Sequence, residues 1–175
     1  MIDDFIGSGT TLLRKEEDKW KGKLPRFWAD IAEVLGTHFD ADWVLAVHHY
    51  VATAQAAAAI EERHRLKSEE AGEKDWFRHV EFTFGMVFPD SFSVHAKDEL
   101  EFAELVHIYY DDSIETPHMK KGGSDARWGF GDCGLPLVLE HNTPNNTIAL
   151  IWAETAGEGE AHPMRPLFRR RQRHL

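Results

Sequence analysis

The chain has 175 residues, of which 42% are hydrophobic and 29% charged, and its net charge is −10. This composition is typical of a folded globular domain and excludes a disordered segment. No apolar run reaches the ~18 residues of a membrane helix, and acids lie near the start where a signal peptide would be basic, so we expect one cytoplasmic domain. The single cysteine, Cys133, excludes an internal disulfide and a multi-cysteine zinc site.

The first twelve residues contain the most informative motif. A short apolar lead runs into the acid pair Asp3 and Asp4, and a loop of small residues follows: Gly7, Ser8, Gly9, Thr10 and Thr11. Glycines let successive N–H groups approach an anion, and a helix that begins after the loop adds its positive dipole end. We therefore expect a phosphate cradle ahead of a helix. The alternative is a plain glycine-serine turn with capping hydroxyls.

The next elements alternate between helix and strand. A helix is predicted over 24–35, with Pro25 in its first turn and Gly36 as its stop. The apolar run 43–51 predicts a buried strand, and the alanine-rich stretch after it predicts a helix. This joint also fits a helical period, but 30 unbroken helical residues would be long for a domain of this size. Residues 79–88 alternate in polarity and predict a further strand.

The C-terminal half is predicted to continue this alternation. Residues 99–110 have the period of a helix, and a glycine-rich loop covers 122–134. Two apolar runs, 135–141 and 147–154, flank the Pro-Asn turn chemistry of 142–146 and predict a pair of strands. The fold class is therefore α/β, with a Rossmann-like, mostly parallel sheet flanked by helices and a C-terminal strand pair.

Charge is unevenly distributed between the body and the end of the chain. Residues 162–175 contain five arginines and no acid, whereas the rest is acidic. An acidic body repels nucleic acid, so a nucleic-acid contact is expected only through the arginine-rich tail. The alternative is a solvated tail or one that docks on its own acidic body. We place an α/β domain at 1–157 and a linker with the basic tail at 158–175.

The N-terminal loop differs from two common phosphate motifs. A Walker loop has lysine where this chain has Thr10, and a dinucleotide fingerprint has glycine at Leu12. The run also resembles the segment with which DNA amino-methyltransferases hold S-adenosylmethionine, except that Asp4 replaces a proline. It more closely resembles the phosphoribosyl pyrophosphate motif of type I phosphoribosyltransferases, in which an apolar strand ends in two acids and a loop containing S/T-G-x-T follows.

A second resemblance covers the C-terminal part. The segment GFGDCGLPLVLEHNTPNNTIALIW, followed by PLFRR, is similar to phosphoribosyltransferase-like proteins of bacterial conflict and phage-defence loci. The resemblance therefore spans nearly the whole chain. It implies a second candidate site, in which the asparagines either face a ligand or lock a loop: Asn142, Asn145, Asn146 and Arg169.

The resemblance implies binding of a phosphorylated ribose compound, either phosphoribosyl pyrophosphate or a nucleotide, in antiviral defence. Asp3 and Asp4 would hold ribose hydroxyls or Mg²⁺. With a full active site the reaction would be phosphoribosyl transfer, in which Mg²⁺ and Arg or Lys neutralise the leaving pyrophosphate. Two alternatives are a catalytically inactive module that senses a nucleotide or binds a partner protein, and an acidic interaction protein without a ligand.

One departure from the family pattern concerns the start of the chain. In type I phosphoribosyltransferases, strands and helices precede the acid pair, whereas here only Met1 and Ile2 do. Two residues are fewer than the ~5 of a strand, so we expect the N-terminal half of the family domain to be missing. The strand ending at Asp4 should be central in the sheet, and a homodimer or a partner protein should cover its edge.

Other residue types suggest weaker hypotheses. A metal site at the histidines and catalysis by Cys133 are less common in such settings than ordinary structural roles. Trp128 is the tryptophan best placed for base stacking. The metal candidates are His48 with His49, His79 with Glu81, and His107 with Asp111 and Asp112, and the bases for the cysteine are His118 and His141.

Overall fold

The structure is a computed structural model, and it describes residues 1–72, 76–77, 79–97, 99–117, 119, 125–140, 142–157, 159 and 162–168. The chain divides into two compact units, one at Met1–Phe88 and one that begins at Pro89. Within the described residues, no helix is long and apolar enough to cross a membrane. The domain boundary at residue 157 stays a prediction.

The first unit is an α/β structure, as the sequence predicts. In chain order its elements are β1 (Ile2–Ile6), β2 (Arg14–Glu16), β3 (Lys19–Lys21), α1 (Lys23–Ile31), α2 (Leu35–His38), β4 (Leu45–Thr53), α3 (Ala54–Ala71) and β5 (Val80–Phe88). A parallel sheet has the order β1, β4, β5, and β2 pairs antiparallel with β3. The predicted strand-then-helix joint is therefore confirmed, and so is the fold class.

The connection between β1 and β4, which contains α1, and the connection between β4 and β5, which contains α3, contact the same face of the sheet. Asp3 of β1 is the register partner of His49 in β4, and Phe82 of β5 points to the same side as they do. Helix α1 reaches this face through the ion pair of Lys23 with Asp3, and α3 reaches it where His64 packs edge-on against Phe82. Two right-handed crossovers in one direction give this placement.

The core of this unit lies between that face and the helices. Leu24, Phe27, Trp28 and Ile31 recur at helical spacing in α1 and pack into it. Trp28 stacks edge-on against Phe77 with ring centroids 5.0 Å apart, an arrangement that contributes about 0.5–1.5 kcal/mol beyond area burial. Helix α1 ends at Ile31, so Gly36 lies inside α2 instead of stopping the predicted helix.

The structure corrects two expectations about β1. The acid pair lies inside the strand, because β1 continues through both acids to Ile6 and needs only Met1 before it. The prediction that too few residues precede the pair to form a strand was therefore wrong. The strand is also at an edge of the described sheet, where it pairs only with β4, instead of being central.

A hairpin follows the phosphate-loop motif where a helix was expected. Glu17 and Asp18 both have positive φ, 49° and 61°, which is the backbone of a tight two-residue hairpin turn. Glu70 of α3 ties the hairpin down, because its carboxylate accepts from Lys15 Nζ and Trp20 Nε1, each at 2.7 Å. The helix-dipole contribution from a following helix is therefore absent from the described loop.

The second unit contains two α-helices among its described residues, α4 (Leu100–Tyr109) and α5 (Ala149–Trp152). Helix α4 confirms the helix predicted over 99–110. The predicted C-terminal strands were wrong, since the described residues after position 134 form only single bridges, between Leu135 and Thr147 and between Leu139 and Asn142. Backbone donors in this region go to several segments instead of one partner strand, and the Ala-Leu-Ile-Trp run takes a helical turn.

His64 gives a stability test for the first unit. Its Nε2 is buried without a hydrogen-bond partner among the described residues, and burial lowers the pKa of the imidazole below its ordinary value. The folded state therefore holds a neutral ring, whereas the unfolded state takes up a proton near pH 6.5. We expect the free energy of unfolding to have its full contribution from this neutral ring above pH 6.5. It should fall as the pH is lowered towards the depressed folded-state pKa of His64. The variant His64→Phe, measured by urea denaturation from pH 7.5 to 5.5, should lose less stability than the wild type; an equal loss would contradict this assignment.

Candidate functional site

The loop after β1 directs its carbonyl groups into the protein. Every carbonyl from residue 7 to residue 13 accepts a hydrogen bond from a described group, in part from backbone amides. Three side chains supply the other bonds. These are Thr53 Oγ1 to the Gly7 carbonyl at 2.7 Å, Arg63 Nη1 to the Ser8 carbonyl at 3.0 Å and the Leu13 carbonyl at 3.2 Å, and Arg14 Nη1 to the Thr10 carbonyl at 3.1 Å.

The backbone amides of the same loop point the other way. In a trans peptide, the carbonyl of one residue and the N–H of the next point in opposite directions, so the bonds accepted by the carbonyls of residues 7–10 leave the amides of residues 8–11 directed away from those donors. Among the described residues, the N–H groups of Ser8, Gly9, Thr10 and Thr11 meet no acceptor. A backbone N–H must bond to protein, water or a ligand. These four donors therefore face solvent or a bound group.

Two hydroxyls extend this row of donors. Ser8 Oγ and Thr10 Oγ1 lie 3.0 Å apart, and the five motif residues form a turn outside any helix or strand, as the sequence predicts. Successive outward N–H groups with hydroxyls beside them make a concave anion-binding surface. Binding of phosphate at Gly7, Ser8, Gly9, Thr10 and Thr11 stays a prediction.

Gly9 allows the loop to pack directly on α3. Its φ is +74°, and a Cβ at this position would lie 2.9 Å from Ile60 Cγ1 and 3.0 Å from Arg63 Nη1. Real Cβ contacts are almost never so short, and other residues adopt this backbone only at a cost. The glycine is therefore needed for both the turn and the close contact.

The acid pair is divided between the two faces of the sheet. Successive residues in a strand alternate sides, so the side chain of Asp3 lies on the helix-covered face and that of Asp4 on the opposite face. Asp3 forms an ion pair with Lys23 at the start of α1. Asp4 Oδ1 accepts from the Phe5 amide at 2.8 Å. The two carboxylates therefore have different surroundings.

His49 lies beside Asp3 and is nearly fully buried, with 2% of its surface exposed. Its ring stacks on Phe84 with centroids 6.2 Å apart, and Nδ1 has no hydrogen-bond partner. Burial lowers the pKa of His49, an effect that the charge of Asp3 opposes. The imidazole is therefore neutral in the folded protein at neutral pH.

The acid pair does not fit a shared Mg²⁺ site. Two carboxylates on opposite faces of a strand cannot coordinate one ion together. Within the described residues, no group of three or more His, Cys, Asp or Glu side chains is placed to hold a metal ion. Binding of Mg²⁺ by Asp3 or Asp4 separately stays a prediction.

A comparison with protein families agrees with the motif and the fold. The family model PRTase-CE matches residues 1–170. The chain belongs to the PRTase-CE family. This family is phosphoribosyltransferase-like, which agrees with the acid pair followed by the glycine-hydroxyl loop. No curated protein matches the chain, and no solved structure does either.

The asparagine turn of this PRTase-CE chain locks a glycine-rich loop in the second unit. Asn146 is 7% exposed, and its Nδ2 donates to the Phe130 carbonyl at 2.9 Å and to Cys133 Sγ at 3.3 Å. A Cβ on Gly129 would lie 2.1 Å from the Asn146 carbonyl oxygen. This geometry favours the loop-locking alternative over a ligand-facing role for Asn146. Arg169 lies outside the described residues, so the second candidate site stays a prediction.

Cys133 has the surroundings of a structural residue. It is 3% exposed, and burial raises the pKa of its thiol, an effect that the Asn146 hydrogen bond opposes. A thiol held protonated is a poor nucleophile. The two histidines considered as its base, His118 and His141, lie outside the described residues.

Replacing Asn146 tests the loop-locking role. We expect Asn146→Asp to lower the free energy of unfolding by about 3 kcal/mol, because it buries a carboxylate against a carbonyl and a sulfur. The half-buried neighbour is the matched control, and Asn145→Asp should cost less than about 1 kcal/mol. Chemical denaturation at pH 7.5 measures both changes. Equal losses for the two variants would show that Asn146 has no special locking role.

Three residues of the site were missed by sequence reasoning, and a fourth, His49, was considered only as a metal candidate. Thr53 precedes an alanine-rich helix, which is a typical N-cap position, and its hydroxyl accepts from the Ala56 amide at 3.0 Å. Arg63 follows the buried Ile60 by three residues, which is a signal that it faces inward. His49 becomes a neighbour of Asp3 through the parallel pairing of β1 with β4, and Lys23 reaches Asp3 from the start of α1; no local pattern predicts either contact.

Proposed function

We propose that this PRTase-CE chain binds the phosphate group of a phosphorylated ribose compound, phosphoribosyl pyrophosphate or a nucleotide, at residues 7–11. The proposal rests on an opposition within the loop: the carbonyls of residues 7–10 accept hydrogen bonds from described groups, and the four amides that follow them have no described acceptor. Such amides bind an anion with little rearrangement, because the protein already fixes their direction.

The acid pair would contribute through one of its members. Asp3 forms an ion pair with Lys23 on the helix-covered face, and we assign the carboxylate of Asp4, on the other face of β1, to the ribose hydroxyls. A hydroxyl donating to a carboxylate forms a charge-assisted hydrogen bond. A Mg²⁺ ion would enter only with a phosphate ligand and is not part of the binding set that we assign to the chain.

The ion pair of Asp3 favours a binding module over phosphoribosyl transfer. Transfer would place both acids of the motif on the ribose, and here one is held by Lys23. We expect no pyrophosphate release when the chain is incubated with phosphoribosyl pyrophosphate, Mg²⁺ and the common bases. A coupled assay for pyrophosphate measures this. Turnover that Asp4→Asn abolishes would show instead that the chain is an enzyme.

The position of β1 at an edge of the described sheet supports a proposal about partners. An edge strand presents unpaired backbone groups that favour pairing with another chain. A twofold antiparallel pairing of two β1 strands would bring the carboxylates of Asp3 and Asp4 from two copies together, which is destabilising. The edge therefore fits a basic segment of a different protein better than a homodimer. Light scattering at micromolar concentration tests this, and a stable dimer would overturn the preference for a different protein.

The resemblance to phage-defence proteins suggests a test in cells of a role in antiviral defence. If binding at the loop serves antiviral defence, a strain carrying the gene and its neighbours should lose protection when Gly9 is replaced by alanine. Plaque counts compare this strain with the wild type. Unchanged protection would show that the loop is not required for defence.

Calorimetry tests the ligand class directly. Ribose 5-phosphate, phosphoribosyl pyrophosphate and adenosine monophosphate are titrated separately, with and without Mg²⁺, and ribose is the control that lacks phosphate. We expect the phosphorylated compounds to bind and ribose to give no heat. Binding of ribose as strongly as its phosphate, or no binding of any phosphate, would contradict the proposal.

A further inference from the structure

Arg63 stands where the pattern of α3 calls for an apolar residue. Ala56 and Ile60 are fully buried on the face of α3 that contacts the loop, and position 63 continues this face at the next helical turn. Arg65, two residues further along α3, is exposed and forms ion pairs with the exposed Glu62 and Glu69. The guanidinium of Arg63 is instead half-buried under the loop.

The surroundings of this guanidinium make it costly to retain for stability alone. Among the described residues, Arg63 has no carboxylate in ion-pair distance, and its hydrogen bonds go to the Ser8 and Leu13 carbonyls. Burial without a carboxylate lowers the pKa of Arg63. An apolar residue of similar volume would avoid the cost of burying a charge.

The bonds of Arg63 determine which amide points outward. One atom, Nη1, bridges both ends of the loop, at 3.0 Å to the Ser8 carbonyl and 3.2 Å to the Leu13 carbonyl. Because the peptide is trans, holding the Ser8 carbonyl inward directs the Gly9 N–H outward. The guanidinium also places a positive charge directly beneath the loop, which favours an anion on its outer surface.

We propose that Arg63 is the positioning residue of the anion site, which aims the Gly9 amide at the bound phosphate and supports it with charge from below. This inference rests on the proposed function of the loop. It assigns to α3 a role in ligand binding that lies outside the acid-pair and glycine-loop motif. Arg63 does not itself need to touch the ligand.

The test compares Arg63→Met with Arg65→Met, a matched control on the exposed side of the same helix. The ¹H–¹⁵N spectrum of each full-length variant is recorded during titration with inorganic phosphate and with ribose 5-phosphate. We expect Arg63→Met to weaken binding at least tenfold. In this variant the ligand-induced shift of the Gly9 amide should decrease more than the shifts of the other loop amides. Arg65→Met should bind within twofold of the wild type. Wild-type affinity in Arg63→Met would overturn the inference.

Two further outcomes separate this inference from the proposed function. If the wild type binds neither phosphate, the proposed function fails; the positioning role is then read from the free spectra, where Arg63→Met should move the Gly9 cross-peak and Arg65→Met should not. An unmoved Gly9 cross-peak overturns the positioning role.

If Arg63→Met does not fold, the variant Arg63→Lys replaces it, since an ammonium keeps the charge but lacks the planar fork of donors. We expect at least threefold weaker binding, and wild-type affinity would again overturn the inference.

Discussion

Gly9→Ala is expected to abolish phosphate binding and to destabilise the first unit. The substitution forces a side chain onto a backbone with φ +74° and drives its Cβ to within 2.9 Å of Ile60 Cγ1. Either the loop moves away from α3 or the side chains of Ile60 and Arg63 shift, and a shift of the Arg63 guanidinium disturbs its bonds to the Ser8 and Leu13 carbonyls. We expect a loss of about 2–4 kcal/mol in the free energy of unfolding and binding of ribose 5-phosphate at least a hundredfold weaker. Urea denaturation and calorimetry measure the two effects.

Gly72 provides the control for backbone strain. It also has φ +74°, but a Cβ there would meet nothing within 4 Å. Gly72→Ala should therefore cost about 1–3 kcal/mol of stability while the affinity for ribose 5-phosphate stays within twofold of the wild type. If both alanine variants bind like the wild type, the close packing of Gly9 on α3 is not required for the site.

The second large effect is expected from the acid pair, whose two members should respond differently. Asp4→Asn removes the carboxylate that we assign to the ribose hydroxyls, and a lost charge-assisted hydrogen bond costs about 1.5–3 kcal/mol, which is about tenfold to a hundredfold in affinity. Asp3→Asn breaks only the partly exposed ion pair with Lys23, so it should cost at most about 1 kcal/mol of stability.

Calorimetry with ribose 5-phosphate and with inorganic phosphate separates these effects. Asp4→Asn should lower the affinity for ribose 5-phosphate and leave the affinity for inorganic phosphate unchanged, because the phosphate contacts lie in the loop. Asp3→Asn should change neither affinity by more than about threefold. A larger loss in Asp3→Asn than in Asp4→Asn would reverse our assignment of the two carboxylates.

The elements with a strong local pattern were predictable from the sequence. The strand at 79–88 has a clear period, and the strand and helix at 43–71 follow from composition together with the length argument against one long helix; β4, α3 and β5 lie there within two residues. The loop of small residues was recognisable because glycine and hydroxyl residues have few reasons to cluster. Each of these features depends on residues that are close in sequence.

What the sequence did not reveal depends on contacts distant in sequence. The hairpin at 14–21 has short strands and a turn of Glu17 and Asp18, which lacks the usual asparagine or glycine, so tertiary contacts such as Lys15 with Glu70 overrode local preference. The runs after residue 134 look like strands because they are apolar, yet their backbone donors are used by several loop segments. An apolar composition alone does not distinguish a buried strand from a buried loop.

Whether the amides of residues 8–11 form the anion site can be read from the ¹H–¹⁵N spectrum of the wild-type chain during titration with ribose 5-phosphate. We predict that the amides of Ser8, Gly9, Thr10 and Thr11 shift the most, saturate together, and move downfield as they donate to the phosphate. Saturable shifts that are centred on another part of the chain and leave these four amides unmoved would contradict it.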